Sequence, residues 1–319
     1  MSNFVSDVYQ QFFKWEYFKK LFTRGPSYAL NGIRILRARY IAKKIADAKP
    51  VLEDSSTMMG RVFDLSKKEL MELDGFKMYV MADDYIGRMI RDDKTYEKHV
   101  TRVVRCVLKE GGTFLDLGAN IGYYTMLASS IVKPTGKVIA FEPNPQNLQL
   151  IYASMLESKT GNVTVYPYAV SDAAGILRFT TVGSNGGVVT DQTVRMSGSP
   201  YNLLVPAVKL DDVLKDLNRL DLVKIDIEAH ESAAIKGMVG LIREFKPKII
   251  TEYHPWAIEV NTTEPPRAYL DQLIGLGYKL SVIDQTGNCL SMTNAEEIIS
   301  FWAALGVETM HLDLLAEPI

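Results

Sequence analysis

Cysteine is nearly absent. Cys106 and Cys289 are the only two in 319 residues, and they form neither a C-x-x-C pair nor a ligand cluster. That excludes a disulfide framework or a thiolate zinc site as the organising principle, and makes a reducing cytosol the default setting. No apolar run approaches the roughly 18 residues of a membrane span. The opening residues are polar and aromatic, without the apolar stretch and small-residue cleavage site of a secretory signal, so the expected location is cytoplasmic. Internal repeats and low-complexity tracts are also missing. No recognised nucleic-acid module is present, so no nucleic-acid partner is expected.

Net charge is small overall but unevenly placed. The whole chain carries −2, while residues 1–50 hold ten Lys and Arg against three Asp and Glu. Helical spacing of Val5, Val8, Phe12, Trp15 and Phe22, and of Ile33, Leu36, Tyr40, Ile41 and Ile45, predicts two amphipathic helices over 4–22 and 28–48, broken at Gly25-Pro26-Ser27. Residues 1–70 therefore read as a basic helical extension ahead of a second domain, 71–319. Its helices either pack on that domain or a second subunit, or rest on an anionic membrane or glycolipid at the inner face of the membrane.

The second domain is organised around Thr113-Phe114-Leu115-Asp116-Leu117-Gly118-Ala119-Asn120-Ile121-Gly122. Five mostly apolar residues predict a buried parallel strand. Gly118 and Gly122 then make a turn into a helix beginning near Tyr123, where a ligand can approach the backbone and meet unpaired N–H groups. A dinucleotide fingerprint needs G-x-G-x-x-G. Here Asn120 stands in place of the middle glycine, and Asp116 would repel a pyrophosphate. A cationic ligand suits this turn better.

Further buried strands end in acids or polar residues. Lys137 to Phe141 leads to Glu142, placed to accept the two hydroxyls of a ribose, with Pro143-Asn144-Pro145 opening the next helix. Val163 to Tyr168 leads to Ser171 and Asp172, which either bond an adenine amine or simply form a Ser-Asp-Ala-Ala-Gly turn. Leu222 to Glu228 alternates so that Lys224, Asp226 and Glu228 share a face. Lys248 to Glu252 runs into His254-Pro255. If these last two strands are neighbours, Asp226, Glu228, Glu252 and His254 converge on the carboxyl rim, where open α/β sheets bind ligands. Residues 183–202 are polar and Gly-rich and predict an acceptor-binding lid.

Four blocks in order, Asp-Leu-Gly-Ala-Asn-Ile-Gly (116–122), Phe-Glu-Pro-Asn-Pro (141–145), Lys-Ile-Asp-Ile-Glu-Ala-His-Glu (224–231) and Glu-Tyr-His-Pro (252–255), together resemble the FkbM family of methyltransferases dependent on S-adenosylmethionine (SAM). Tyr96-Glu97 matches a further element of that pattern. One departure is Ala229, where the family usually has Gly, and a slightly tighter turn is expected there. The resemblance implies an α/β fold of the Rossmann-like class I methyltransferase type. Its sheet would be seven-stranded and mostly parallel, with strand six at Tyr278 to Ile283 and an antiparallel seventh at Val307 to Leu314. The cofactor would be SAM, with S-adenosylhomocysteine (SAH) as product. The implied reaction is methylation of a hydroxyl on a small-molecule or glycan acceptor.

By the same resemblance Asp116, Gly118, Asn120 and Gly122 shape the methionine end of the cofactor site. Glu97 meets its amino group, Glu142 the ribose, and Ser171 or Asp172 the adenine, with Asn144 also counted among the cofactor-binding residues. An attacking alcohol must lose a proton, and histidine is the commonest base near neutral pH. His254 is the expected base, with Asp226 as alternative or orienter, Glu228 beside them and His230 next in line. No metal is required, although Asp226, Glu228, Glu252 and His254 are ligand types that a divalent ion accepts. Two other readings stand beside this one: an NAD-dependent oxidoreductase on the same fold, and a protein that binds SAM without catalysis.

Overall fold

A computed structural model describes residues 68–189, 203–262, 264–306 and 310–319. The predicted N-terminal helices and most of the lid, 190–202, lie outside these residues. The chain divides into two units, one of residues 52–298 with 311–319 and the other of residues 1–51 with 299–310. Of the second unit, the described part is the end of one helix and the few residues after it.

The first unit opens with a hairpin, β1 (Lys68–Leu73) and β2 (Phe76–Met81). The expected domain boundary at 70 falls inside β1, so the last three residues of the supposed helical extension are strand. The stretch 84–108, expected to be largely helical, is two helices, α1 (Tyr85–Asp93) and α2 (Lys98–Val107). Asp84 caps the first through Ile86 N–H at 3.1 Å, and Lys94 ends it in the left-handed conformation at φ 57°. The break leaves Glu97 at φ 40°, just before α2.

The core then alternates. In order come β3 (Thr113–Leu117), α3 (Tyr123–Val132), β4 (Lys137–Phe141), α4 (Pro145–Ser158) and β5 (Val163–Tyr166). A side sheet follows, built from β6 (Ala169–Val170), β7 (Gly175–Val182), β8 (Asn185–Val188) and β9 (Leu203–Val208). The chain returns through α5 (Leu210–Val213) to β10 (Leu222–Ile225), α6 (Glu231–Lys236), α7 (Val239–Phe245) and β11 (Lys248–Tyr253). It finishes with α8 (Pro255–Asn261), α9 (Pro266–Gly275), β12 (Tyr278–Ile283), β13 (Cys289–Met292), α10 (Ala295–Ala304) and β14 (Leu312–Pro318).

The main sheet has the order β13-β12-β14-β11-β10-β3-β4-β5, and the side sheet β6-β9-β7-β8. Pairings from β11 across to β5 are parallel, and β14 runs antiparallel between β11 and β12. This is the Rossmann-like methyltransferase sheet, with two corrections. Cys289–Met292 adds an eighth, antiparallel strand at the edge of β12. The last main strand begins at Leu312, later than expected. β3 is buried along its whole length, as a strand covered on both faces must be. From β3 the chain winds outward to β4 and β5, then returns to start again at β10 on the other side. The order reverses between β3 and β10, and ligands bind outside the carboxyl ends of strands at such a point.

Phe114 is fully buried on β3. Phe114→Ala is expected to cost about 3–5 kcal/mol of stability, read as a lowered midpoint in urea unfolding of the intact chain.

Candidate active site

The Gly-rich turn is shaped by what lies against it. Gly118 has φ 80°, and a Cβ there would sit 1.9 Å from the Asp226 carbonyl oxygen. The loops after β3 and β10 are therefore in backbone contact, which only glycine permits. Gly122, at φ 92°, ends the turn at the start of α3. Between them Asn120 takes φ 50° and accepts Ile121 N–H through its own Oδ1 at 2.7 Å.

Glu142, at the end of β4, ties this turn to the next loop. Its Oε2 accepts Asn120 N–H at 2.7 Å and its Oε1 accepts Asn144 N–H at 2.8 Å. Burial pushes its carboxyl up to about 8 despite those donors. Asn144 caps α4 by accepting Gln146 N–H at 3.0 Å. Its Nδ2 is buried and has no partner among the described residues, which costs roughly 1–3 kcal/mol where nothing binds it. A buried acceptor pair beside an orphaned donor fits the adjacent hydroxyls of a ribose, and the glycine turn fits a ligand laid close to the backbone.

Asp116 differs from expectation. It is 1 % exposed and accepts Thr125 Oγ–H at 2.6 Å, so it braces β3 against α3 and offers a ligand no surface. Burial pushes its carboxyl up to about 6, against the pull of Lys224. Lys224 is buried too and stands opposite Asp116 in the β3–β10 register. Its Nζ donates to Asp226 Oδ2 at 2.7 Å and lies 4.6 Å from the centre of the Tyr124 ring. Burial works against its charge, but Asp226, Glu97 and Asp116 hold the ammonium well above its usual range. Tyr124 O–H donates to Glu97 Oε2 at 2.8 Å, and burial pushes that carboxyl up to about 7.

Strand β10 ends at Ile225, so Glu228 stands in a turn and does not continue a strand face with Lys224. Glu228 and Ala229 take φ 56° and 71°. The buried Glu231 holds the turn, accepting Ile227 N–H at 3.1 Å and Ala229 N–H at 3.2 Å through Oε1. Burial, with Glu252 and Asp226 close by, pushes the Glu228 carboxyl up to about 8.

The histidines sort differently from expectation. His230 faces Ser171, Nε2 to Oγ 3.0 Å, with Ser171 donating to Asp172 at 3.3 Å, and burial lowers its pKa. These three predicted residues thus form a group of their own. His254 caps α8, its Nδ1 accepting Ala257 N–H at 3.1 Å. That places the proton of the neutral ring on Nε2 and corrects its assignment as base. His311, which the sequence reading passed over, pairs through Nδ1 with Glu252 Oε1 at 2.8 Å. It falls inside the last strand expected from the sequence, Val307 to Leu314, and that was the only signal it carried. Lys224, Tyr124 and Glu231 also gain roles that the sequence did not assign.

The described part of the lid is pinned. Ser184 donates to Asp84 by N–H at 3.0 Å and by Oγ–H at 2.6 Å. Its carbonyl accepts Asn147 Nδ2–H at 2.8 Å, and Asn185 Oδ1 accepts Asn120 Nδ2–H at 3.3 Å. The β7–β8 turn is fixed beside the Gly-rich turn. Among the described residues no group of three or more His, Cys, Asp or Glu is placed to hold a metal ion, and no helix is long and apolar enough to cross a membrane.

A family model described as "Methyltransferase FkbM domain" matches residues 116–280, just over half of the chain. Hexuronic acid methyltransferase AglP of Haloferax volcanii is 25% identical over 162 residues, which are 50% of this chain and 62% of that protein. Methyltransferase sdnD of Sordaria araneosa is 24% identical over 203 residues, 53% of this chain and 75% of that protein. The chain thus spans less than two thirds of the first relative. The crystal structure of methyltransferase FkbM from Methylobacillus flagellatus KT aligns at 16% identity and a TM-score of 0.42, covering 65% of this chain and 44% of that one. The fold rests on the strand order, to which so loose a superposition adds nothing.

The left-handed Ala229 yields a test. A left-handed non-glycine residue costs about 1–2 kcal/mol, and glycine's lost backbone entropy about 0.5–1. Ala229→Gly should therefore gain about 0.5–1 kcal/mol, seen as a melting temperature raised by roughly 1–3 °C.

Proposed function

The chain belongs to the FkbM methyltransferase family, and on that premise we propose that it transfers the methyl group of SAM to a hydroxyl of a sugar, glycolipid or related natural product. The observation that carries this reading is the rim beyond the glycine turn, where Asp226, Glu228 and Glu252 gather around the ends of β10 and β11. Carboxylates accept hydrogen bonds from hydroxyls, and such a rim suits a polyol. The relative named as a hexuronic acid methyltransferase supports a carbohydrate acceptor. Family membership displaces the NAD-dependent alternative. The surplus of basic residues in 1–50 suits an acceptor or carrier at an anionic surface.

In this reading the backbone of Gly118 to Gly122 and Asn120 hold the methionine part of the donor. Glu142 and Asn144 take the ribose hydroxyls, Glu97 the amino group, and Ser171 with Asp172 the adenine edge. Bound SAM supplies a methyl group already activated by its sulfonium. The protein's work is to align an acceptor oxygen with it and to remove the proton that oxygen carries. Alignment of this kind contributes about 7–11 kcal/mol in favourable cases.

Two measurements test the proposal. Calorimetry should find SAH binding without NAD binding. Tritiated methyl SAM, offered with methyl glucoside and methyl glucuronide, should label a sugar with an alkali-stable ether. Alkali-labile label would mean carboxyl esterification and overturn hydroxyl transfer; no SAH binding would overturn the whole reading.

Glu142 makes the binding prediction quantitative. Glu142→Ala should weaken SAH by about 1.5–3 kcal/mol, roughly 10- to 150-fold. Ribose hydroxyls prefer the ionised carboxylate, which in the free protein forms only as pH rises through about 8. SAH affinity should therefore increase from pH 7 to 9, with proton release on binding at pH 7. Glu142→Gln should abolish both effects, which calorimetry in buffers of different ionisation heat reads directly.

A further inference from the structure

His311 lies beyond the residues matched by the family model, 116–280. The antiparallel register of β14 on β11 pairs Leu312 with Tyr253 and Asp313 with Glu252. His311 is thereby delivered to the open end of β11, on the rim that already holds Asp226, Glu228 and Glu252. Its Nδ1 lies 2.8 Å from Glu252 Oε1, and its side chain remains 41 % exposed.

The other three histidines are committed elsewhere. His99 Nε2 bonds Asp313 Oδ2 at 2.7 Å, His230 Nε2 bonds Ser171, and His254 Nδ1 accepts a backbone N–H. In the neutral His311 ring Glu252 fixes the proton on Nδ1, so Nε2 presents a lone pair. Among the described residues nothing bonds that nitrogen. A carboxylate orienting one ring nitrogen while the other faces the reaction is the arrangement a general base requires.

We propose that His311 is the general base of the methyl transfer and that Glu252 is its positioning residue. This rests on the reading that the acceptor is a hydroxyl. The acceptor O–H bond breaks and its proton moves to Nε2 of His311. The oxygen's lone pair forms the new O–C bond. The C–S bond of the donor breaks with its electron pair kept by sulfur, which leaves neutral SAH and an imidazolium.

The surrounding charges set the pH at which this works. Glu252 and Asp313 come from β11 and β14, Asp226 and Glu228 from the turn after β10, and His99 from α2; the His254 ring is centred 6.3 Å away. Burial lowers the His311 pKa, but Glu252, Asp313 and Asp226 outweigh it and carry it to about 9. The ring is therefore mostly protonated at pH 7, and its base form grows as pH rises. The positive sulfonium of bound donor acts in the opposite sense and brings that limb to lower pH.

Nitrogen-15 NMR of the four imidazoles, assigned with His311→Gln, tests the geometry. The neutral His311 ring should carry its proton on Nδ1 and titrate near 9, falling in Glu252→Gln; a proton on Nε2 would overturn the proposal. Labelled-methyl transfer to methyl glucoside and methyl glucuronide tests the role. The rate should rise with pH along one limb. That limb should move to lower pH in Glu252→Gln, and His311→Gln should lose it with a fall of about 10²–10⁴-fold. An unchanged pH profile in His311→Gln would overturn the role. SAH affinity should persist in both variants, which certifies an intact cofactor site. A wild-type protein that binds SAH yet labels neither sugar would count against the carbohydrate reading, while the tautomer would still decide the dyad.

Discussion

The ammonium of Lys224 is buried at the middle of the main sheet, and the candidate site depends on it. Asp116 stands across from it on β3, Asp226 bonds it at 2.7 Å, and Glu97 feels its charge through the cleft. An isolated buried carboxylate would take up a proton instead of staying charged. Lys224 lets several acids share one region: it holds the Asp226 carboxyl below its usual range although burial opposes this. Removing it would leave uncompensated charge, which costs far more than the net worth of the pair. The Tyr124 ring under the ammonium and the Tyr124 bond to Glu97 make α3 part of the same unit. The helix that follows the glycine turn therefore fixes the acids as well as the turn.

From Lys224 the polar contacts run outward. Asp226 lies near enough to Glu252 for the two carboxyls to influence each other, and Glu252 Oε1 accepts from His311 Nδ1 at 2.8 Å. Burial and the charge of Asp226 raise the Glu252 carboxyl, and the pairing with His311 pulls it back. A fixed cation in the core thus keeps one acid of the rim charged, and the next acid along orients the ring at the surface.

Much of the core is legible in the sequence. Buried runs leading to Asp116, Glu142, Asp226 and Glu252 mark the parallel strands, because each crosses a covered sheet and can stay apolar until its carboxyl end. The eighth strand was hidden: Cys289–Met292 is short and largely exposed, so it carries little of the pattern that marks a buried strand. His254 misled for a definite reason. Pro255 reads as the end of a strand, yet it occupies the first turn of α8, a position proline favours because its missing N–H would find no partner there. That makes His254 a cap and commits its Nδ1. His311 was hidden because its role is made by pairing across strands, and register between β11 and β14 is not written in either segment alone.

The division between the matched residues and the tail has a physical meaning. Residues 116–280 supply the glycine turn, Glu142 and the acids after β10 and β11, all of them held by local turns and neighbouring parallel strands. β14 follows that segment, yet it inserts between β11 and β12, so the sheet cannot close without it. An inserted antiparallel strand starts at the carboxyl end of its parallel neighbours, and its first residues must emerge on the reactive rim. Glu231 and the left-handed Glu228–Ala229 turn hold the opposite side of that rim. In the proposed reading the donor end is built by the core that the family model covers, and the acceptor would meet a strained turn together with the residue that a late strand brings to the edge.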